Sequence, residues 1–189
     1  MIDRTNFLLV PLVLFGLASC GRDPEEGAIA SDWDGTGVGW TTDLISRIPE
    51  VSREAQLIGL APIQEVRTGV DDGFDRMVIE IEGRGMPNYE VEYAAEPLQY
   101  CETGEPVQLE GTATLHVRLE PAKARNEQGR VLFSNSGGRT GLPVLVEQQL
   151  VCDRDGSVEW AVGVASPNAY RVLQLTEMNR IVLDIRHEG

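Results

Sequence analysis

The side chains that could do chemistry in this 189-residue chain are few, and their spacing limits what each can do. Its three cysteines, Cys20, Cys101 and Cys152, lie far apart. No Cys-x-x-Cys and no cysteine–histidine cluster occurs, so neither a dithiol redox centre nor a thiolate zinc site is indicated. Asp71, Asp72 and Asp75 form the densest acidic group. A calcium loop needs alternating oxygen ligands and a distant glutamate, and this spacing lacks them. The group reads instead as a turn in which Asp75 or Arg76 fixes the entry to a strand. Asp153, Asp155 and Gly156 read as a second turn, a plain hairpin. Thirty acidic residues make chance carboxylate pairs plentiful, and none is marked by the apolar setting a glycosidase acid needs. His116 falls on the polar side of a strand pattern and His187 is nearly terminal. The segment Ser134-Asn135-Ser136-Gly137-Gly138 lacks the strand–turn–helix setting of a nucleophile elbow. No phosphate-cradling or dinucleotide motif is present. These patterns point away from catalysis; no catalytic residue, metal ligand or cofactor is assigned.

Charge narrows the partners. Thirty acidic residues against sixteen basic ones give a net charge of −14. That disfavours nucleic acid and electrostatic binding to anionic headgroups. The cations are nearly all arginine, with Lys123 the only lysine, and they are scattered rather than clustered.

The apolar run Phe7–Leu17 spans eleven residues, too short for a membrane span and of the right length for a signal-peptide core. The following Leu17-Ala18-Ser19-Cys20-Gly21 resembles the lipobox of bacterial lipoproteins. That resemblance implies that residues 1–19 are a signal peptide and that Cys20 becomes the lipid-bearing first residue of the mature chain. It also implies a place in the bacterial cell envelope, at the outer membrane if the host has two membranes. In such an oxidising compartment Cys101 and Cys152 are expected to pair, two unpaired buried thiols being the alternative.

The elements that must position these residues follow from periodicity. Residues 20–56 are rich in acidic and small side chains and read as a flexible tether, with a short helix over Thr42–Arg53 from the spacing of Leu44, Ile45, Ile48 and Val51. Trp33 and Trp40 stand out there, and docking onto the domain is the expected role of both. From residue 57 to 189 the period becomes two: Met77, Ile79 and Ile81 share one side of a strand, and the pattern recurs at Thr114–Leu119, Val158–Val162 and Arg180–Ile185. Ile63–Val70, Tyr89–Tyr93, Leu142–Val151 and Tyr170–Leu175 are further strands, separated by Asp/Asn/Gly/Pro turns. About eight short strands, each with one apolar side, predict an all-β, two-sheet sandwich. The polar stretch Glu120–Gly141 reads as a long surface loop.

Several of these pieces, in order, resemble the AMIN-like domain of bacterial envelope lipoproteins. They are Val66-Arg67-Thr68-Gly69-Val70-Asp71-Asp72-Gly73-Phe74-Asp75-Arg76-Met77-Val78, Tyr89–Tyr93, Leu109-Glu110-Gly111, Leu115–Leu119 and Arg180–His187. Cys101, Cys152 and the middle loop depart from the family's pattern. The resemblance implies a β-sandwich in which Asp72, Gly73, Phe74, Asp75 and Arg76 form a structural motif. It further implies a non-catalytic module that contacts peptidoglycan, another envelope glycan or a neighbouring envelope protein. Tyr93, Arg118 and Arg139, with Tyr100 and Tyr170, are taken as exposed candidates for ligand contact. The lipid anchor has a direct test: Cys20→Ala is expected to release the mature protein from the membrane fraction, and continued membrane sedimentation of the processed variant would exclude lipidation.

Overall fold

Every period-two segment becomes a strand. In the computed structural model, which describes residues 39–47, 59–83 and 85–187, eight strands of six or more residues form the body of the fold. These are β2 (Ala61–Asp71), β3 (Phe74–Ile81), β4 (Asn88–Tyr93), β5 (Ala113–Glu120), β8 (Leu145–Arg154), β9 (Ser157–Val164), β10 (Tyr170–Leu175) and β11 (Arg180–Arg186). Three short strands join them: β1 (Ile45–Arg47), β6 (Ala122–Lys123) and β7 (Gly137–Arg139). They make a six-stranded sheet in the order β1-β4-β5-β9-β8-β7 and a five-stranded sheet in the order β10-β11-β3-β2-β6. All pairings are antiparallel except β2 with β6. The expected all-β, two-sheet sandwich is what forms.

Alternation dictates the core. Met77, Ile79 and Ile81 of β3 meet Leu115, Val117 and Leu119 of β5 and Ile181, Leu183 and Ile185 of β11 in one apolar cluster around the fully buried Trp160. Each such side chain contributes roughly 1.5–3 kcal/mol on burial. Phe133 packs over Trp160 with ring centroids 6.1 Å apart. The turns use the residues their geometry demands. Asp155 and Gly156 have φ of 55° and 83° at the β8–β9 hairpin, the left-handed pair that matches the twist of adjoining strands.

Four expectations are corrected. The spacing of apolar residues in Thr42–Arg53 does not give a helix over its described part: Ile45–Arg47 is β1, paired with Val91, Glu90 and Tyr89 of β4. Residues 39–47 therefore belong to the sandwich and not to a free-standing tether. Glu120–Gly141 is no simple surface loop, because it supplies β6, β7 and the buried Ala122, Ala124 and Phe133. Tyr170 is wholly buried and no surface residue. Its hydroxyl lies 2.6 Å from Asp43 O and 2.7 Å from Val91 O, and burial pushes its pKa up to about 12. Cys20 and Trp33 lie outside the described residues.

Besides the Tyr170–Val91 bond, a buried carboxylate links the sheets. Asp75 points inward from β3, and its Oδ2 accepts the backbone N–H groups of Val144 and Leu145 at 2.6 and 2.8 Å. His187 Nε2 hydrogen-bonds its Oδ1 at 2.8 Å. Asp75→Ala should strand two donors and expose the inner end of β8, lowering unfolding free energy in urea by roughly 3–5 kcal/mol, the scale for breaking a buried charged network. A loss below 1 kcal/mol would show that the sheets do not depend on it.

Candidate functional site

The Asp72–Arg76 motif builds a clasp on the outer side of the five-stranded sheet. Gly73 has a φ of 81° and closes the β2–β3 turn, a conformation that costs glycine nothing. Alternation then sends Phe74 and Arg76 outward and Asp75 inward. Arg171 of β10, Asp184 of β11 and Arg76 of β3 stand opposite one another across three strands. Arg76 Nε and Nη2 donate to Asp184 Oδ1 and Oδ2 at 2.6 and 2.9 Å. Arg171 Nε donates to Asp184 Oδ2 at 2.8 Å. The Asp184 hydrogen bond raises the pKa of the Arg76 guanidinium above its ordinary value. Arg171 also lies over the rings of Trp40 and Phe74, 4.4 and 5.1 Å from their centroids. Arg186 stacks on Trp40 from 5.4 Å. Cation–π contacts of this kind contribute about 0.5–2 kcal/mol each. Thr41 completes the seat by exchanging backbone bonds with Tyr170 at 2.9 and 2.7 Å. The clasp thus binds the chain's own Trp40, as the docking expectation required. Arg171 escaped notice in the sequence because an arginine on a strand gives no sign of an aromatic 131 positions earlier.

On the outer side of the six-stranded sheet, residues 94–112 between β4 and β5 fold into a hairpin. Val107 N–H donates to Leu98 O at 2.7 Å and Tyr100 N–H to Glu105 O at 2.9 Å. Its tip is joined to β8 by the expected Cys101–Cys152 disulfide, with Cα atoms 5.2 Å apart. Closing a loop of 51 residues stabilises by about 4 kcal/mol on a chain-entropy estimate. At its other end Glu110 lies so close to Gly163 that a Cβ there would sit 2.2 Å from Glu110 O. Ala161, though on the outer side of β9, is wholly buried. The hairpin is therefore a strap, and small residues on β9 are its seat.

The candidate ligand residues are dispersed by this arrangement. Tyr93 turns inward, donates its hydroxyl to Asn168 O at 2.6 Å and meets Tyr170 edge-on at 5.7 Å. Burial pushes its pKa up to about 12, and the ring is half-buried against the core. Arg139 on β7 pairs with Glu110 of the strap, three strands from Arg118 in the sheet order. Arg118 borders an open depression. It sits between Glu120, at 2.8 Å, and Glu90, at 3.4 Å, in a cleft of about 260 Å³ completed by Asn88 and Tyr89. The Glu120 hydrogen bond raises the Arg118 pKa. One pair further along, His116 Nε2 lies 2.9 Å from Glu159 Oε2, and that bond holds the Glu159 carboxyl below its ordinary value. A second cleft of similar size, bordered by Tyr100 and Arg125, opens beside the disulfide.

Comparison with known families finds that the AMIN-like domain matches residues 61–187, more than half of the chain. The chain belongs to the AMIN-like family. No match was found among curated proteins or among solved structures.

The His116–Glu159 pair predicts a pH response. A carboxyl whose folded pKa is lowered stabilises above its unfolded value and loses that contribution as pH falls through the folded one. Glu159 should therefore titrate below 4.5 by NMR, and His116→Ala should move it back up and remove part of the stability lost on acidification. An unchanged Glu159 titration in His116→Ala would refute the pairing.

Proposed function

We propose that this AMIN-like domain is a non-catalytic binding module of the bacterial cell envelope, tied to the membrane by lipid on Cys20, and that it holds peptidoglycan or another envelope glycan at the Arg118 cleft. The observation that carries the reading is the composition of that cleft. A guanidinium, a carboxamide and two carboxylates, from Arg118, Asn88, Glu90 and Glu120, converge on one open depression beside Tyr89. Planar polar groups of both signs offer the donors and acceptors that vicinal hydroxyls require, on a shallow surface suited to a polymer. Family membership supports an envelope location and a binding role.

The net charge shapes how such binding would work. With a net charge of −14 the chain is repelled by the carboxylates of a wall polymer. Hydroxyl contacts in a cleft where Arg118 already has acidic neighbours do not depend on charge attraction, as binding by a bare cationic surface would. An envelope protein as partner is the second reading; Leu44, Leu60, Val70, Leu132 and Met178 are exposed apolar side chains that could serve it.

The test is co-sedimentation of residues 21–189 with purified sacculi across a salt series. Saturable pelleting that survives moderate salt is expected, with Arg118→Glu reducing the apparent affinity roughly tenfold, the scale of one charge-assisted contact. No pelleting, or equal pelleting by the variant, would overturn the cleft assignment. The first of these results would direct the search to a protein partner by crosslinking in intact envelopes.

A further inference from the structure

Half of one edge of β2 carries backbone groups that the fold does not use. His187 N–H donates to Gly73 O at 2.9 Å and Ile81 N–H to Asn179 O at 2.8 Å, so odd-numbered residues along β3 turn their backbones toward β11. The even-numbered ones turn toward β2, where Arg67, Gly69 and Asp71 stand opposite Val78, Arg76 and Phe74. Val66, Thr68 and Val70 therefore turn their backbones away from the sheet. Val66 O accepts Asn135 Nδ2 at 3.3 Å, and β6 lies along β2 only at Ala61 and Pro62. Among the described residues no backbone bond reaches Thr68 or Val70 on that side.

An open edge is a template for another strand, and proteins blunt it with a bulge, a proline, a charge or a covering segment. The bulge of β2 falls between Ile63 and Glu65, and β6 covers the chain just before it. Thr68-Gly69-Val70 has none of these devices, and it presents Val70 with 61% of its surface exposed.

We infer that two copies of the chain pair antiparallel along this edge, about a two-fold axis at Gly69. Thr68 and Val70 of each copy then exchange backbone bonds with Val70 and Thr68 of the other, which uses every free group on the stretch. Gly69 meets Gly69 of the second copy in a non-hydrogen-bonded pair, where Cα atoms approach to about 4.5 Å. Arg67 meets Asp71 of the second copy on both sides of the axis, and opposite charges across a ladder stabilise it. These pairs extend rows already present, since Arg67 holds Glu65 and Glu80, and Asp71 lies 3.5 Å from Arg76. Neighbouring registers fit worse. An axis at Thr68 sets Glu65 against Asp71 and needs the Val66 carbonyl that Asn135 holds. An axis at Val70 sets Thr68 against the turn residue Asp72. With the axis at Gly69 the second copy turns away at its own Gly73, opposite Glu65 and short of β6. Arg118 lies on the other sheet, so the inference does not rest on the glycan reading.

Cysteine crosslinking of the full chain tests both the pairing and its register. The parent carries Cys20→Ser, so that each added thiol is the only free one. It is kept in non-ionic detergent near physiological salt, where repulsion between the acidic copies is screened beyond about 8 Å. Gly69→Cys, at a position where a Cβ meets nothing within 4 Å, should give a reducible dimer under mild copper-catalysed air oxidation, its spacing across the axis being that of a disulfide. Arg67→Cys and Asp71→Cys should each crosslink at least about tenfold more slowly alone, their own Cα atoms lying beyond disulfide reach across the axis, while a mixture of the two should form the heterodimer. Val70→Pro removes an N–H that β3 does not use and should slow crosslinking at Gly69→Cys roughly tenfold. Thermal melts matching the parent would show that the variants are folded. No dimer from Gly69→Cys, equal rates for all three single variants, or no heterodimer from the mixture would overturn the proposal, as would an unchanged rate in Val70→Pro.

Discussion

A charge placed in an apolar interior must be satisfied or it destabilises the fold, and Asp75 meets that demand from both sheets at once. Its carboxylate sits in the β3 pattern where an aliphatic residue would otherwise pack, and Val144, Leu145 and His187 satisfy it there. The desolvation of a lone carboxylate costs several kcal/mol, and three partners from two distant stretches offset it together. That requirement fixes how the start of β8 and the end of the chain approach β3. Hydrophobic burial alone would tolerate a shift of one sheet over the other. The same motif puts Asp75 and Arg76 on opposite sides of one strand, so a single turn at Gly73 sets both the inter-sheet link and the outer clasp.

The outer sides of the two sheets are used differently. On the five-stranded sheet, the row Arg171–Asp184–Arg76 and the rings of Phe74 and Trp40 are occupied with each other. On the six-stranded sheet the disulfide-bound strap covers the centre of β9. Two clefts open among the described residues, one at Arg118 on β4 and β5 and one beside the disulfide. A sheet with a strap across it leaves open clefts with polar walls.

The strands were legible because alternation survives any tertiary detail: a sheet side that is buried must be apolar at every second residue. Tyr170–Leu175 was read with the bounds it has, since Pro167 and Asn168 on one side and a polar turn on the other punctuate it. The failures share a cause. Leu44, Ile45, Ile48 and Val51 carry helical spacing, but a three-residue edge strand is decided by its pairing with β4 and leaves no local signature. Tyr93 and Tyr170 are amphipathic, and nothing in a sequence says whether a ring with one hydroxyl faces water or a buried carbonyl. Glu120–Gly141 is polar on average, while Ala122, Ala124 and Phe133 reach the core as isolated residues. The site was legible only in part. Arg118 stayed beside a cleft, while Arg139 was taken by the strap.

The seat of Trp40 has a mechanical side. Tension on the chain ahead of Gly39 would enter at one indole and then divide. Part passes through Arg171 into the ion-paired row of the five-stranded sheet, and part through the paired backbones of Thr41 and Tyr170. The rest runs through β1 into β4 of the six-stranded sheet. A domain hauled from that point is loaded on both layers together, so neither can be peeled from the other before the ring stack and the backbone pairs have given way.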